Sequence, residues 1–462
     1  MDTALLEWCR RLIACRSVTA EGTRRIAELC ASEMLTPAGI AARLIPSTRE
    51  GGEQVNLVAT IRGRDSSLKP IVLNTHLDTV PPGAPELWTA CEGDPFIARI
   101  DDDRIYGLGA ADTKLDFAAK VFALRAVGTP RRDVYLLGSF GEEHGLTGAK
   151  EIVEAALLPA GAMAFVGEPS RLEVITAHKG LMMFELRIDF TPLRIDEQMQ
   201  ARRLTFGGKA AHSSTPALGI NAIDVALEAI AINLKLNLAA LSGGTAVNVV
   251  PARCDVVVAT EAALDPLVGG AIEAANFDRP IADIIPPEVV TTTIRFIAAL
   301  RKYADSGGST ESDYAPPTLT CNPGVIRSTS DSVTLEFELR PPPGLALDQV
   351  RAAVARVAEE VSRHAVGMSV ALGEKRANPG FRAAAASETV ELAMGALAGA
   401  GLALGSGVKS GCTEAGIYAA AGLAPVVIGP GPSTGVIHAP NEYNFLSDVE
   451  GAVRFYRALL DM

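Results

Sequence analysis

A chain of 462 residues is too long for one ordinary core, so two domains are expected. A hydrophobic content of 48% with 21% charged residues fits a globular protein, and a net charge of −12 without a Lys/Arg cluster argues against nucleic acid or an anionic membrane as partner. Seven scattered cysteines lacking CxxC spacing exclude a zinc finger and fit reduced thiols in a cytoplasmic protein. The first stretch, Ala4–Cys15, has an amphipathic helical pattern and no long apolar run, so neither a signal peptide nor a membrane span is expected there.

Helical periodicity returns at Thr23–Leu35 and Leu115–Val127, separated by the strand-like runs Asn56–Ile61, Ile71–Thr75 and Val134–Phe140. This alternation predicts an α/β domain whose mostly parallel sheet is sandwiched by helices. Near Lys179–Gly180 the pattern changes. LMMFELRIDF, VTLEFELR and MSVAL read as strands, and GINAIDVALEAIAINLKL and LDQVRAAVARVAEEVSRHA as helices. They suggest a smaller α+β, ferredoxin-like unit. Residues 261–322 fit poorly and read as an excursion within it, with a helix over Thr291–Tyr303 and a polar Ser/Gly run. After about Ala377 the α/β pattern resumes with SETVELAMGALAGAG, GCTEAGIYAAAG and APVVIG. The expected organisation is a catalytic domain over 1–179 and 374–462, interrupted by a lid and dimerisation domain over 180–373.

Four apolar runs end in metal-ligating residue types. IVLNTH brings His76 and, two residues on, Asp78 to the same side of an extended backbone. DVYLLGSF runs into Glu142 and Glu143, AMAFVG into Glu168, and APVVIG, after a Gly/Pro loop, into His438. Open α/β sheets bind ligands at the carboxyl ends of their strands. His76, Asp112, Glu143, Glu168 and His438 form a nitrogen and oxygen donor set suited to zinc, cobalt or manganese. A pair of divalent ions there would polarise a carbonyl and hold a hydroxide. Asp112, in the Gly-rich loop GLGAADTK, could bridge both ions, and Glu142, next to a ligand, could shuttle the proton. Asp78 is expected behind His76, accepting its second ring proton. His144 and His364 read as surface residues and Cys412 as a small packing residue.

HLDTV, GLGAADTK, GEEHGLTGA, GEPS with AHKG, GGKAAHSSTPALGINAI, FELRPPPG, GCTEAGIYAAAG and GPGPSTGVIHAPNEY follow one another in this order. Together they resemble the di-zinc hydrolase family that includes acetylornithine deacetylase, succinyl-diaminopimelate desuccinylase, aminoacylase and glutamate carboxypeptidase. The resemblance covers most of the chain outside 261–322, and GEPS…AHKG with CTEA is most similar to the acetylornithine deacetylase branch. It implies one zinc held by His76, Asp112 and Glu168 and a second held by Asp112, Glu143 and His438. It also implies Glu142 as general base, Asp78 as supporting partner, and His212 as an oxyanion stabiliser reaching a neighbouring active site across a homodimer. Asn248 and Arg340 resemble residues that grip the substrate, and a guanidinium fork is matched to a carboxylate. Leu115 departs from the family, which usually has glycine there. Glu168, in place of aspartate, resembles the deacylase and carboxypeptidase branches.

The leading expectation is therefore a zinc-dependent amide hydrolase removing an N-acyl group from an amino acid. A dipeptidase or carboxypeptidase of the same family is the alternative, motivated by the extra residues of the inserted domain. A metal-holding scaffold without catalysis would have lost the base or a ligand, and both are retained here.

Overall fold

A computed structural model of the chain describes residues 1–50, 53–195, 200–232, 236–260, 271–277, 281–306 and 310–462. The chain divides into two compact units, Met1–His178 with Phe381–Met462, and Lys179–Gly380. The second crossing falls a few residues beyond Gly373 because the strand Met368–Asn378 runs through that glycine without a turn.

The first unit is built on a nine-stranded sheet. Its strands are β1 (Ala42–Pro46), β2 (Val55–Ile61), β3 (Ile71–His76), β4 (Val134–Ser139), β5 (Met163–Gly167), β6 (Val174–His178), β7 (Phe381–Arg382), β8 (Ser406–Lys409) and β9 (Ala424–Val427). They run in the order β1-β2-β4-β3-β5-β9-β6-β7, with β8 beside β6. The centre, β4-β3-β5-β9, is parallel throughout, and antiparallel strands extend it on both sides. Every residue of β3 is buried, as the central strand of a sheet covered on both faces must be. Ile71 and Leu73 face a core shared with the helices α1 (Thr3–Ala14), α2 (Lys114–Val127), α3 (Glu388–Gly399) and α4 (Leu446–Asp461). Val72 faces the opposite core, closed by Ala149, Ile152, Ile417 and Tyr418. This is the helix-sandwiched α/β sheet expected from the sequence.

Leu115, the departure from glycine, is fully buried in the first of these cores. The buried helix α2 also carries charge inside. Lys120 lies 2.6 Å from Asp116, both fully buried, and Asp116 accepts the hydroxyls of Thr75 and Tyr456 at 2.6 Å each. Removing one partner of such a pair leaves a bare charge in low dielectric. Lys120→Met is expected to destabilise the protein by about 3–5 kcal/mol. Urea unfolding measures this, and a loss near zero would mean that Asp116 is already satisfied by its two hydroxyl donors.

The second unit carries an eight-stranded antiparallel sheet, in the order Ala271–Asn276, Gln200–Gly207, Arg253–Thr260, Asn237–Gly243, Thr320–Ser328, Ser332–Arg340, Leu181–Phe190, Met368–Asn378. One face packs against the helices Ala222–Ile232, Pro287–Ser306 and Leu347–Arg363. The segment expected to be an excursion is partly integral to this unit. Its helix begins at Pro287, a residue suited to a first helical turn, and sends Phe296, Ile297 and Leu300 into the core. Residues 261–270, 278–280 and 307–309 of that segment lie outside the described residues, as do 233–235 at the end of the helix expected from GINAIDVALEAIAINLKL. No helix among the described residues is long and apolar enough to cross a membrane. None of the seven cysteines forms a disulfide.

Candidate functional site

The four parallel strands β4, β3, β5 and β9 end on one edge of the first sheet, and the loops leaving them carry the candidate residues. His76 is the last residue of β3, Glu142 and Glu143 follow β4, Glu168 follows β5, and His438 lies in the loop after β9. Asp112 comes from the Gly-rich loop before α2. Its two oxygens divide between the histidines: Oδ1 is 3.1 Å from His76 Nε2 and Oδ2 is 3.2 Å from His438 Nε2. His438 Nε2 is also 3.1 Å from Glu143, and His76 Nε2 is 3.9 Å from Glu168. Donor atoms of His76, Asp112 and Glu143, and of His76, Glu142 and Glu168, lie within 4.8 Å of one another, close enough for each trio to hold a metal ion. The five residues expected as ligands are thus brought together. His438 holds a left-handed backbone, φ 57°, which is strained for a residue with a side chain.

Asp78 is fully buried behind His76. The atom within hydrogen-bond reach of His76 Nδ1 is the carbonyl oxygen of Asp78, at 3.0 Å, while its carboxylate stands 3.7 Å away. That carboxylate is committed elsewhere. It accepts the backbone N–H of Glu142 at 3.2 Å, that of Glu143 at 3.3 Å, and the hydroxyl of Thr19 at 2.8 Å. Asp78 therefore supports His76 through its main chain and pins the paired glutamates through its side chain. The expected contact of the ring proton with the Asp78 side chain is 3.7 Å long, and the nearer acceptor is the Asp78 carbonyl.

The site gathers more buried negative charge than its own cations offset. Burial, followed by repulsion from Glu168, raises the carboxyl of Glu142 well above the ordinary range. Burial also raises Glu143 against the hydrogen bond from His438, and raises Glu168 against the attraction of Lys409. Burial disfavours a charged His438, yet pairing with Asp112 and Glu143 pushes it up to about 11. Two imidazoles and a surplus of converging carboxylates form a donor set that fits divalent cations, whose charge would relieve this repulsion.

Several supporting residues are not evident from spacing. Glu442 Oε1 accepts the backbone N–H of Ala111 and Asp112, at 2.8 and 3.0 Å, and so fixes the Asp112 loop. Lys409 Nζ lies 3.3 Å from Glu168. Glu414, wholly buried, accepts from Asn74 on β3 and from Ser139 on β4, and burial pushes its carboxyl up to about 7. The CTEA motif signals Glu414, but its neighbours become visible only with the strand register. His144 and His364 are exposed, and Cys412 packs at the edge of a core.

In the second unit His212, Asn248 and Arg340 share one neighbourhood. His212 bridges to Val249, beside Asn248, and the N–H of Ser213 donates to Asn248 O at 3.0 Å. His212 Nδ1 lies 3.1 Å from the N–H of Ser214 and 2.7 Å from its hydroxyl oxygen, so this edge of the ring is engaged by Ser214. Arg340 is buried, and its Nε donates to Glu338 at 2.6 Å. Lys179 donates to the carbonyls of Pro316 and Thr318, at 2.7 Å each, and burial with the nearby Arg340 lowers it to about 8.

Residues 72–462 match the sequence profile of Peptidase family M20/M25/M40. The chain is 33% identical over 233 residues to an acetylornithine deacetylase of Klebsiella pneumoniae, covering 46% of this chain and 53% of that one. It is 31% identical over 278 residues to an acetylornithine deacetylase of Photorhabdus laumondii, covering 54% of this chain and 65% of that one. The chain thus spans only 53% and 65% of the length of these curated relatives. In fold it is similar to an aminoacylhistidine dipeptidase from Vibrio alginolyticus, with a TM-score of 0.66, 19% identity, and 99% and 96% of the two chains covered. It is also similar to an M20 family metallo-carboxypeptidase from Sulfolobus solfataricus, with a TM-score of 0.63, 18% identity, and 100% and 99% covered.

Proposed function

Because the chain belongs to peptidase family M20/M25/M40, we propose that it is a metal-dependent hydrolase that removes an N-acyl group from an amino acid. The observation that carries this reading is the convergence of His76, Asp112, Glu143, Glu168 and His438 at the ends of adjacent parallel strands. His76, Asp112 and Glu168 would hold one zinc ion and Asp112, Glu143 and His438 a second, with cobalt or manganese as substitutes. When bound, such ions polarise the substrate carbonyl and acidify water.

The protein's own groups supply the remaining work. Glu142 takes a proton from the attacking water and delivers it to the leaving amine. Its backbone, anchored to Asp78, keeps that carboxylate next to the ligands. His76 is oriented through its Nδ1 by the main chain of Asp78. In the second unit, His212 serves as a donor for developing oxyanion charge, and Arg340 and Asn248 grip the substrate. The reading includes a homodimer in the cytoplasm, and sedimentation velocity measures its oligomeric state.

A panel of N-acetyl and N-succinyl amino acids, assayed with added zinc or cobalt beside dipeptides, tests the substrate class. Acyl amino acids are expected to be cleaved at least about tenfold faster in kcat/KM. Faster dipeptide cleavage would select a dipeptidase or carboxypeptidase, the activities named in the two structural relatives.

A further inference from the structure

We propose that Glu338 is a positioning residue of the second unit, a single buried carboxylate that sets both the guanidinium of Arg340 and the loop carrying His212. The inference rests on the hydrolase reading above and deepens it. Glu338 and Arg340 stand two residues apart on the strand Ser332–Arg340, so both side chains leave the same face. Glu338 is 1% exposed. Its Oε1 receives two hydrogen bonds at once, from Arg340 Nε at 2.6 Å and from Ser213 Oγ at 2.5 Å. Ser213 follows His212 directly, and its N–H is tied to Asn248 O. One oxygen atom therefore joins the strand that carries the arginine to the turn that carries the histidine.

The way Arg340 is held matters as much as the fact that it is held. Glu338 takes Nε, the nitrogen nearest the stem, and no other acceptor reaches Arg340 among the described residues. The terminal nitrogens keep their two parallel donors, the arrangement that matches a carboxylate with two bonds. Lys179 adds a second cation in the same neighbourhood. Terminal guanidinium donors held in this way suit a substrate that retains a free carboxylate. Glu338 Oε2 has no hydrogen-bond partner among the described residues. A buried carboxylate oxygen without a donor is rarely retained for stability alone. Its presence fits a residue kept for where it holds its neighbours.

Two variants separate positioning from mere packing. The probes are the fastest N-acyl amino acid of the panel and its carboxamide, which lacks the charge that Arg340 would grip. Glu338→Gln is expected to raise KM for the acid by about tenfold, to leave KM for the amide within about twofold, and to lower kcat on both. Ser213→Ala cuts the link to the His212 turn and spares the Arg340 contact, so it is expected to lower kcat with KM unchanged. Calorimetric binding of the free amino acid product gives a readout independent of turnover, and is expected to weaken in Glu338→Gln and not in Ser213→Ala. Equal KM changes on acid and amide in Glu338→Gln, or a Ser213→Ala protein indistinguishable from wild type, would overturn the inference. If Glu338→Gln does not fold, the Ser213→Ala kinetics decide alone. A wild-type protein inert on the whole panel removes the parent reading and this inference together, whereas an active wild type without the KM and kcat split removes this inference only.

Discussion

Replacement of Glu142 by alanine is expected to leave the metal content unchanged and to lower kcat by about a hundredfold to ten-thousandfold, the range of a single general acid–base group. The expectation follows from where the side chain stands. Its carboxyl is buried, and burial and the nearby Glu168 raise it above the ordinary carboxylate range, which favours a group that accepts and returns a proton. Its N–H is anchored to Asp78, whereas its neighbour Glu143 is spent on His438. Donor spacing alone would also allow Glu142 to bind metal. Metal analysis of Glu142→Ala therefore separates the two roles. Loss of half the metal would make Glu142 a ligand, and full turnover with full metal would exclude it as the base.

Asp112→Ala is expected to abolish tight metal binding and to lower kcat/KM by on the order of a thousandfold or more, the equivalent of several kcal/mol of lost charge stabilisation. Among the described residues, Asp112 is the one whose two oxygens reach toward both histidines, so its loss unties both halves of the donor set. The same substitution leaves His76 and His438 without their shared acceptor. Elemental analysis after dialysis reads the metal directly. Thermal unfolding with and without added zinc reads it independently, because a ion that binds only the folded state raises the midpoint. A variant that keeps two ions and the zinc-dependent shift would end the bridging assignment.

Much of the first unit was legible because its signals are local. Apolar runs of strand length ending in His76, Glu142–Glu143 and Glu168 need only the rule that parallel sheets bind at strand ends, and the strands found are β3, β4 and β5. The helix expected at Leu115–Val127 is observed at Lys114–Val127. What stayed hidden depends on register and long-range pairing. Glu442 holds the Asp112 loop across more than three hundred residues of chain, and neither residue carries a mark of the other. Lys409 beside Glu168 is of the same kind. The second sheet was underread because several of its strands lack clean alternation. Gln200–Gly207, which carries the consecutive charges Arg202 and Arg203, is not among the strands expected from the sequence, yet it pairs on both sides, which satisfies its backbone regardless of polarity. For Asp78, spacing places a carboxylate near an imidazole but cannot reveal that two backbone amides and Thr19 also donate to it.

The position of β9 has a consequence for biosynthesis. This strand lies between β5 and β6 in the sheet but follows them in the chain, with about 245 residues separating His178 from Ala424. At ribosomal speeds of about 5–20 residues per second, the amino-terminal strands wait roughly ten seconds to a minute for their missing neighbour. The residues from Lys179 to Gly380 are contiguous and can complete their own sheet during that interval. The nascent amino-terminal segment meanwhile keeps one edge of β5 and both edges of β6 unpaired, because every partner of β6 comes later in the chain, and these edges are a template for wrong pairing with other chains. Chaperone dependence during synthesis is thus expected to be concentrated in the first 178 residues, and a truncated product ending before β9 to aggregate rather than fold.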